Sequence, residues 1–380
     1  MGAPQQDQFL FVAGTRPEAV KLAPVILAMR ARGLRPALVA TGQHRELLHD
    51  ALAAFGLSAD HDLAIMRDGQ TPADVVGCLL PVLTRLFEAI RPAAVVVQGD
   101  TASTLAGAMA AMYARVPIVH VEAGLRSGDR DPFPEEIHRR LVAPICDVHF
   151  APTATARAAL LAEGIAPGVI HVTGNTGIDA LRLMQARLAN DPALSAALAL
   201  RFGNIDPKRH LLLATVHRRE NHGRRLDDVL AALAQLAREV EIVLPVHPHP
   251  AVAGPVQAAL GALPGVHLLP PLDYPAFVWL MQRATLALTD SGGVQEEAPA
   301  LGLPVLVLRD VTERREGLDS GNARLVGTDT AAIVAAVRGL LAGGAGHMAE
   351  PALPYGSGDA ARQIVDVMLA RFGARRVAAE

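Results

Sequence analysis

The sequence predicts an α/β chain of two doubly wound domains, each a parallel sheet with helices on both faces. Three observations carry that prediction. Short continuous Val/Leu/Ile runs alternate with amphipathic stretches; the pattern breaks and restarts near the middle; and 380 residues suffice for two cores at roughly 100 to 200 residues per domain. Continuous apolar strands separated by helices imply sheets buried on both sides, with crossover connections between parallel strands.

Taken in order, FLFVA (9–13) is a buried strand followed by a helix over Glu18 to Arg32, with Thr15-Arg16-Pro17-Glu18 as its capping box. PALVA leads into a helix from Arg45 to Phe55, AAVVVQGD into one from Thr101 to Ala114, and PIVHVEAG into a loop rich in Gly and Pro, Gly124 to Pro134. VIHVTGN closes the first domain, 9–175, after a polar tail at 1–8 expected to be disordered. An Ala/Leu-rich helical connection, ending in GNIDPKRH, fills 176–209. LLLATVH, EIVLPVH, VHLLP, TLALTD and LPVLVLR then build the second domain, 210–357, and 358–380 is a helix expected to return to the first domain.

Composition narrows the function. Hydrophobic residues make up 51% and aromatic residues 3%, so the cores are built from Ala, Val and Leu. A formal net charge of −3 offers no basic field for nucleic acid. Cys78 and Cys146 have neither CxxC nor zinc spacing, which fits a reducing compartment. The start MGAPQQDQ lacks the regions of a signal peptide, and no uncharged apolar run reaches the roughly 20 residues that span a bilayer. A cytoplasmic protein with no membrane partner is expected.

The unusual polar clusters all follow predicted strands: Gly14-Thr15-Arg16, Gly99-Asp100-Thr101, Glu122 to Asp129, His217-Arg218-Arg219-Glu220, His247-Pro248-His249 and Asp290-Ser291-Gly292-Gly293. Ligands of such sheets bind beyond the carboxyl ends of strands, so these clusters point to one cleft between two domains. Arg16 stands in the first turn of a helix, where the dipole favours negative charge. Either its side chain swings into solvent or an anion sits there. Ser291-Gly292-Gly293 is a turn on which backbone N–H groups could close on a phosphate, or a capped turn without a ligand. Of Glu296 and Glu297, about 100° apart on a helix, at most one can face that ligand, where it would accept from ribose hydroxyls.

Arg16, Lys21 and Arg314 are candidates to neutralise a diphosphate; as single charges each reads first as surface decoration, and placement at strand ends is what raises them. Asp100, Glu122 and Glu135 are candidates for proton transfer, because desolvation and like-charge proximity raise a carboxylate toward working pH. Asp100 could instead cap the helix at Thr101, and Glu135 could be an ordinary first-turn acid. His217, His222, His247 and His249 lack acid or Cys partners at ligand spacing, so His217 is better used as an imidazolium donor to phosphate, and no metal is expected. GxSxG, P-loop and GxGxxG motifs are all absent.

GTRPEAVKLAPV, GDTASTLAGAMAA, HVEAGLRSGD, PFPEE, HRREN and LTDSGGVQEEAPALGLPVLVLRDVTERRE resemble, in order, the motifs of the non-hydrolysing bacterial UDP-N-acetylglucosamine 2-epimerases, from about residue 9 to about residue 370. The resemblance implies a GT-B fold, two Rossmann-like domains facing each other across a deep cleft, usually in a homodimer. It implies interconversion of UDP-GlcNAc and UDP-ManNAc without a cofactor, through loss of UDP and a 2-acetamidoglucal intermediate. It places Arg16 and Lys21 at the nucleotide site, His217, Ser291, Gly292 and Gly293 at the diphosphate, Phe277 beside uracil, Glu297 at the ribose and Arg314 as added charge. Asp100, Glu122 and Glu135 match its catalytic carboxylates, with His217 counted beside them.

Many bacterial members take a second UDP-GlcNAc as allosteric activator, and Gln43 and His247 fit that site. Glu46 stands where such members have glutamine, Gly69 where some have arginine, and His249 where asparagine is usual. The segment between Asp129 and Pro134 is one residue shorter than the family pattern, which bears on how a lid would close and where Glu135 would stand.

Overall fold

The computed structural model describes residues 8–373 except 44, 66, 68 and 131, so the expected tail lies almost wholly outside the described residues. The chain divides into two compact units, the first running to Leu183 and resuming at Tyr355, the second comprising Met184–Pro354.

The first unit runs β1 (Phe9–Ala13), α1 (Arg16–Ala31), β2 (Ala37–Ala40), α2 (Arg45–Ala53), β3 (His61–Asp62), α3 (Pro72–Ile90), β4 (Ala94–Gln98), α4 (Ala102–Tyr113), β5 (Ile118–Val121), α5 (Glu135–Val142), β6 (Val148–Ala151), α6 (Ala154–Ala162) and β7 (Ile170–Val172). Its strands form one parallel sheet in the order β3-β2-β1-β4-β5-β6-β7. Helix α7 (Thr176–Asn190) leads out to α8 (Pro192–Arg201).

The second unit follows with β8 (Leu211–Thr215), α9 (Arg224–Leu236), β9 (Glu241–Pro245), α10 (Pro250–Leu260), β10 (Val266–Leu269), α11 (Tyr274–Met281), β11 (Leu286–Thr289), α12 (Gly292–Glu297), β12 (Val305–Val307), α13 (Arg315–Asp319), β13 (Ala323–Leu325) and α14 (Thr330–Gly339). Its parallel sheet has the order β10-β9-β8-β11-β12-β13. The last helix, α15 (Ala360–Phe372), belongs to the first unit and packs on β1 and α1 through Phe372 against Phe9 and Asp366 against Arg32.

Small residues explain how helices approach the sheets so closely with few rings. Helix α4 is Ala-rich and almost wholly buried, and a Cβ on Gly107 would lie 3.2 Å from Val97 and 3.3 Å from Val12. Among the described residues no helix is long and apolar enough to cross a membrane.

In both sheets the strand order reverses once, between β1 and β4 in the first and between β8 and β11 in the second. At such a switch point the neighbouring crossovers leave in opposite directions and open a crevice at the carboxyl ends. The turns at those ends are Gly14-Thr15 and Gly99-Asp100 in one unit, and Val216-His217 and Asp290-Ser291 in the other.

Candidate active site

In the first unit, helix α1 starts at Arg16, two residues before the predicted start, and its capping box forms as the sequence predicts. Glu18 closes it, accepting from the backbone N–H groups of Gly14 (2.9 Å) and Thr15 (2.7 Å). Arg16 is partly exposed at the mouth of this turn. Lys21 is not a solvent-facing cation awaiting phosphate: one helical turn on, it is buried and ion-paired with Glu122.

Glu122 directly follows β5 with φ +63°, a left-handed conformation that costs a non-glycine residue about 1–3 kcal/mol and persists only where its surroundings enforce it. Besides Lys21, the side-chain N–H of Asn175 donates to Glu122 at 3.0 Å. The Asn175 carbonyl is taken by the Gly177 N–H, which fixes the amide with its nitrogen toward the acid. Lys21 and Asn175 thus hold Glu122 in one orientation.

Asp100 does not cap α4. Thr101 does, its hydroxyl accepting from the Thr104 N–H at 3.1 Å, so the carboxylate of Asp100 is released for other partners. Arg139 donates to it through Nε at 2.6 Å and reaches Glu136 through Nη1 at 2.7 Å, while His138 donates through Nδ1 to the Asp100 carbonyl at 2.9 Å. Helix α5 therefore grips the turn after β4 at two points. From β5 His120 donates Nε2–H to the Gly99 carbonyl at 2.8 Å; burial, with His149 beside it, lowers its pKa to about 3, so this imidazole is neutral at pH 7. Glu135, first residue of α5, is half-buried, and its carboxylate has no hydrogen bond or ion pair among the described residues. Its neighbour Glu136 is buried and fully engaged, with Ser127, Arg139 and Arg140. Gln43 lies in this unit, accepting from Ser103 at 2.9 Å beside the first turn of α4.

In the second unit, Asp290 organises the end of β11. It is fully buried and accepts from the backbone N–H groups of His217 (3.0 Å) and Arg218 (2.9 Å) and from the Asn221 side chain (3.0 Å), with His217 Nδ1 at 3.0 Å. Burial alone would raise its pKa, but the positive charge and hydrogen bond of His217, and those backbone donors, outweigh it and bring it down to about 2. Asp290 thus occupies Nδ1 of His217 and leaves Nε2 to the open side, where the ring is 42% exposed. The His247 ring stacks on it at 6.5 Å.

Arg314 is not a spare charge. It is buried, ion-paired with Glu313 and with Glu296 at 2.9 Å, directly under the glycine turn. A Cβ on Gly292 would lie 2.6 Å from its guanidinium carbon, so this glycine is required by the arginine. Gly293 has room around it, and Ser291 sits at the N-cap position of α12 without its hydroxyl capping the helix. The site therefore faces outward with backbone N–H groups, a hydroxyl and the His217 ring, while Arg218, Arg309 and Arg314 lie beneath, balanced by Glu220, Asp290, Glu296 and Glu313. Burial and the neighbouring arginines lower Arg218 only to about 10, so it stays charged. Tyr274 donates to Glu297 at 3.3 Å from α11, and Phe277, one turn along the same helix, is half-buried.

Sequence reasoning did not single out Asn175, Arg139 or the service of Asp290 to His217. Their partners are 39 to 73 residues away along the chain. The legible signal was position: Asp290 ends a strand beside a glycine pair, as Asp100 follows Gly99. No group of three or more His, Cys, Asp or Glu residues able to hold a metal occurs among the described residues.

Comparison with known proteins agrees with this layout. The family profile described as UDP-N-acetylglucosamine 2-epimerase matches residues 27–369. Relatives named UDP-N-acetylglucosamine 2-epimerase are 44% identical in Escherichia coli O157:H7, over 94% of this chain and 97% of the relative, and 41% identical in Bacillus subtilis, over 96% of each. The crystal structure of UDP-GlcNAc 2-epimerase from Neisseria meningitidis bound to UDP-GlcNAc superposes with a TM-score of 0.92 at 39% identity, covering 96% of this chain and 100% of that one. With a profile match across most of its length and relatives above 40% identity, the chain belongs to the UDP-N-acetylglucosamine 2-epimerase family.

Proposed function

We propose that the protein interconverts UDP-GlcNAc and UDP-ManNAc by eliminating and re-adding UDP. The observation that carries this reading is membership in the family across residues 27–369, with the acids at the strand ends of the first unit and the glycine turn of the second present together.

The chemistry sets two demands. A proton at C2 of the sugar is not acidic, so it leaves as the C1–O bond breaks. The C–H electron pair becomes the C1–C2 double bond of 2-acetamidoglucal, and UDP departs with the C1–O pair. Re-addition of UDP with a proton delivered to the opposite face of C2 gives the epimer. Leaving-group stabilisation falls to the second unit: Ser291, Gly292 and Gly293 supply donors, His217 adds an imidazolium N–H aimed by Asp290, and Phe277 and Glu297 take uracil and ribose. Arg314 acts from below, holding the turn rather than touching phosphate. Proton transfer falls to Asp100, Glu122 and Glu135 in the first unit, with Arg16 at the nucleotide. No cofactor is required by these steps.

A second UDP-GlcNAc acting through Gln43 and His247 is the activator we assign, and the working form is a homodimer. Incubation with UDP-GlcNAc in deuterated water, with no acceptor sugar, should place deuterium at C2 and yield UDP-ManNAc as the minor species. Release of free ManNAc and UDP would make the chain a hydrolysing relative, and absence of exchange in folded protein would overturn the reading. Sedimentation tests the dimer, and a sigmoidal dependence on UDP-GlcNAc the activator.

A further inference from the structure

Glu18 is buried two residues after Arg16, and its two oxygens serve two different turns. Oε2 accepts from the Gly14 N–H, the Thr15 N–H and the Thr15 hydroxyl, at 2.9, 2.7 and 2.8 Å, all in the turn between β1 and α1. That half is a capping box and needs nothing more. Oε1 crosses to the turn between β4 and α4, where the Thr101 hydroxyl donates at 2.8 Å and the Thr104 hydroxyl lies at 3.0 Å. Thr104 has a single proton, for which the Gln98 carbonyl competes at 2.6 Å, so Thr101 is the firmer link.

The two turns also meet without slack. A Cβ on Gly14 would stand 2.1 Å from Ser103 Oγ and 2.5 Å from Thr41 Oγ1, and those two hydroxyls bond each other at 2.9 Å. One turn carries Arg16, the other Asp100. Arg139 grips Asp100 itself, while Glu18 ties the next residue, Thr101, back to the Arg16 turn.

We propose that Glu18 is a positioning residue for the reaction: by stapling the turn that bears Arg16 to the turn that bears Asp100, it fixes the distance between nucleotide contact and proton-transfer carboxylate. The proposal rests on the epimerase reading above. Misplacing a reacting group by about 1 Å costs on the order of 100-fold in rate, far more than a lost cap costs in stability. A cap alone would lower the melting temperature and leave kcat untouched.

The variants separate these roles. Replacing Thr101 and Thr104 together by valine removes the second-turn side of the link, along with the α4 cap that Thr101 supplies, and leaves the α1 capping box; replacing both by serine keeps the hydroxyls; Glu18→Ala removes both sides of the link and leaves the α4 cap in place. We expect the valine pair to lower kcat for C2 deuterium incorporation about tenfold or more while UDP affinity by calorimetry stays within about threefold, and the serine pair to restore kcat to within about threefold of the parent. Glu18→Ala should lose at least as much kcat; if it does not fold, the valine pair decides. Folded valine variants with kcat within about twofold of the parent would reduce Glu18 to a helix cap and overturn the proposal. A parent protein without C2 exchange would instead overturn the epimerase reading itself, and the proposal with it.

Discussion

The two units place charge in opposite ways at equivalent points of their sheets. In the first, two of the three candidate acids are paired with a cation, Glu122 with Lys21 and Asp100 with Arg139, and the third, Glu135, is half-buried. In the second, charge is sunk below the surface in a buried web of arginines and carboxylates, and what faces outward is backbone N–H, a hydroxyl and a histidine. Each arrangement suits its share of the chemistry. A carboxylate that handles a proton must be reachable and oriented, whereas a diphosphate is better met by preorganised dipoles than by free arginines, which would demand rearrangement on every cycle.

The sharpest way to break this division is to disable one side and watch the other. Asp100→Asn keeps shape but cannot take a proton. Its kcat for C2 exchange should fall by about 1,000-fold, within the usual worth of general acid–base catalysis, while UDP affinity by calorimetry stays within about threefold. A comparable loss of UDP binding would mean the two tasks are not separated.

Gly292→Ala tests the other side. Its Cβ would press on the Arg314 guanidinium, held by Glu296 and Glu313, so the turn must move rather than the arginine. Overpacking of this kind costs about 1–3 kcal/mol, and UDP affinity should fall about tenfold or more. Gly293→Ala, with room around it, should cost the fold little and act only through the space above the turn.

How much of this was legible in the sequence follows from the range of each signal. The capping box at Thr15 and Glu18 is local and was readable, as were the strands that end in glycine turns. Helix α3 escaped although Thr71 and Asp74 announce it with another capping box, because no apolar strand precedes it to set the alternation. The short strands β3 and β13 carry His61, Asp62 and Arg324 at a sheet edge, where exposure hides the apolar pattern, and β6 is four residues with a buried histidine in the middle. In the site, residue types at strand ends were legible, but pairings were not. Nothing local says that Lys21 is claimed by Glu122 or Arg314 by Glu296 and Glu313, because charge partners are chosen by the fold.

A smaller effect isolates the anchor of His217. Asp290 has a folded pKa of about 2 against an ordinary 3.8, so its ionised form stabilises the native state. That stabilisation is complete above the unfolded value and is lost as pH falls from 3.8 through about 2; the shift is worth on the order of 2 kcal/mol. Asp290→Asn forfeits it, so at pH 7 the variant should be less stable by chemical denaturation, with a weaker acid dependence below pH 4, and kcat should drop about tenfold as His217 loses its orientation. Unchanged turnover would remove Asp290 from the site.

The smallest effect sets Asp290 against Asp179, a second buried aspartate that the fold moves the other way. Asp179, on α7, accepts from the Ala361 N–H at 2.9 Å at the start of α15, yet its Oδ2 is buried without a hydrogen bond among the described residues. Burial, with the charge of Asp359 nearby, overrides the backbone donors and raises it to about 6. The native state therefore binds the proton more tightly than the unfolded chain does, and stability falls as pH rises from 3.8 through about 6, by at most about 3 kcal/mol. Asp179→Asn keeps an oxygen for Ala361 and abolishes the charge. Its melting temperature should match the parent at pH 4 and exceed it by about 3 °C at pH 7, while turnover stays within about twofold because Asp179 touches none of the candidate reacting groups. One substitution, Asp to Asn, should thus destabilise the protein at position 290 and stabilise it at 179 at the same neutral pH. If the two shifts had the same sign, burial alone would govern both acids, and the donors gathered around Asp290 would not be what sets it apart.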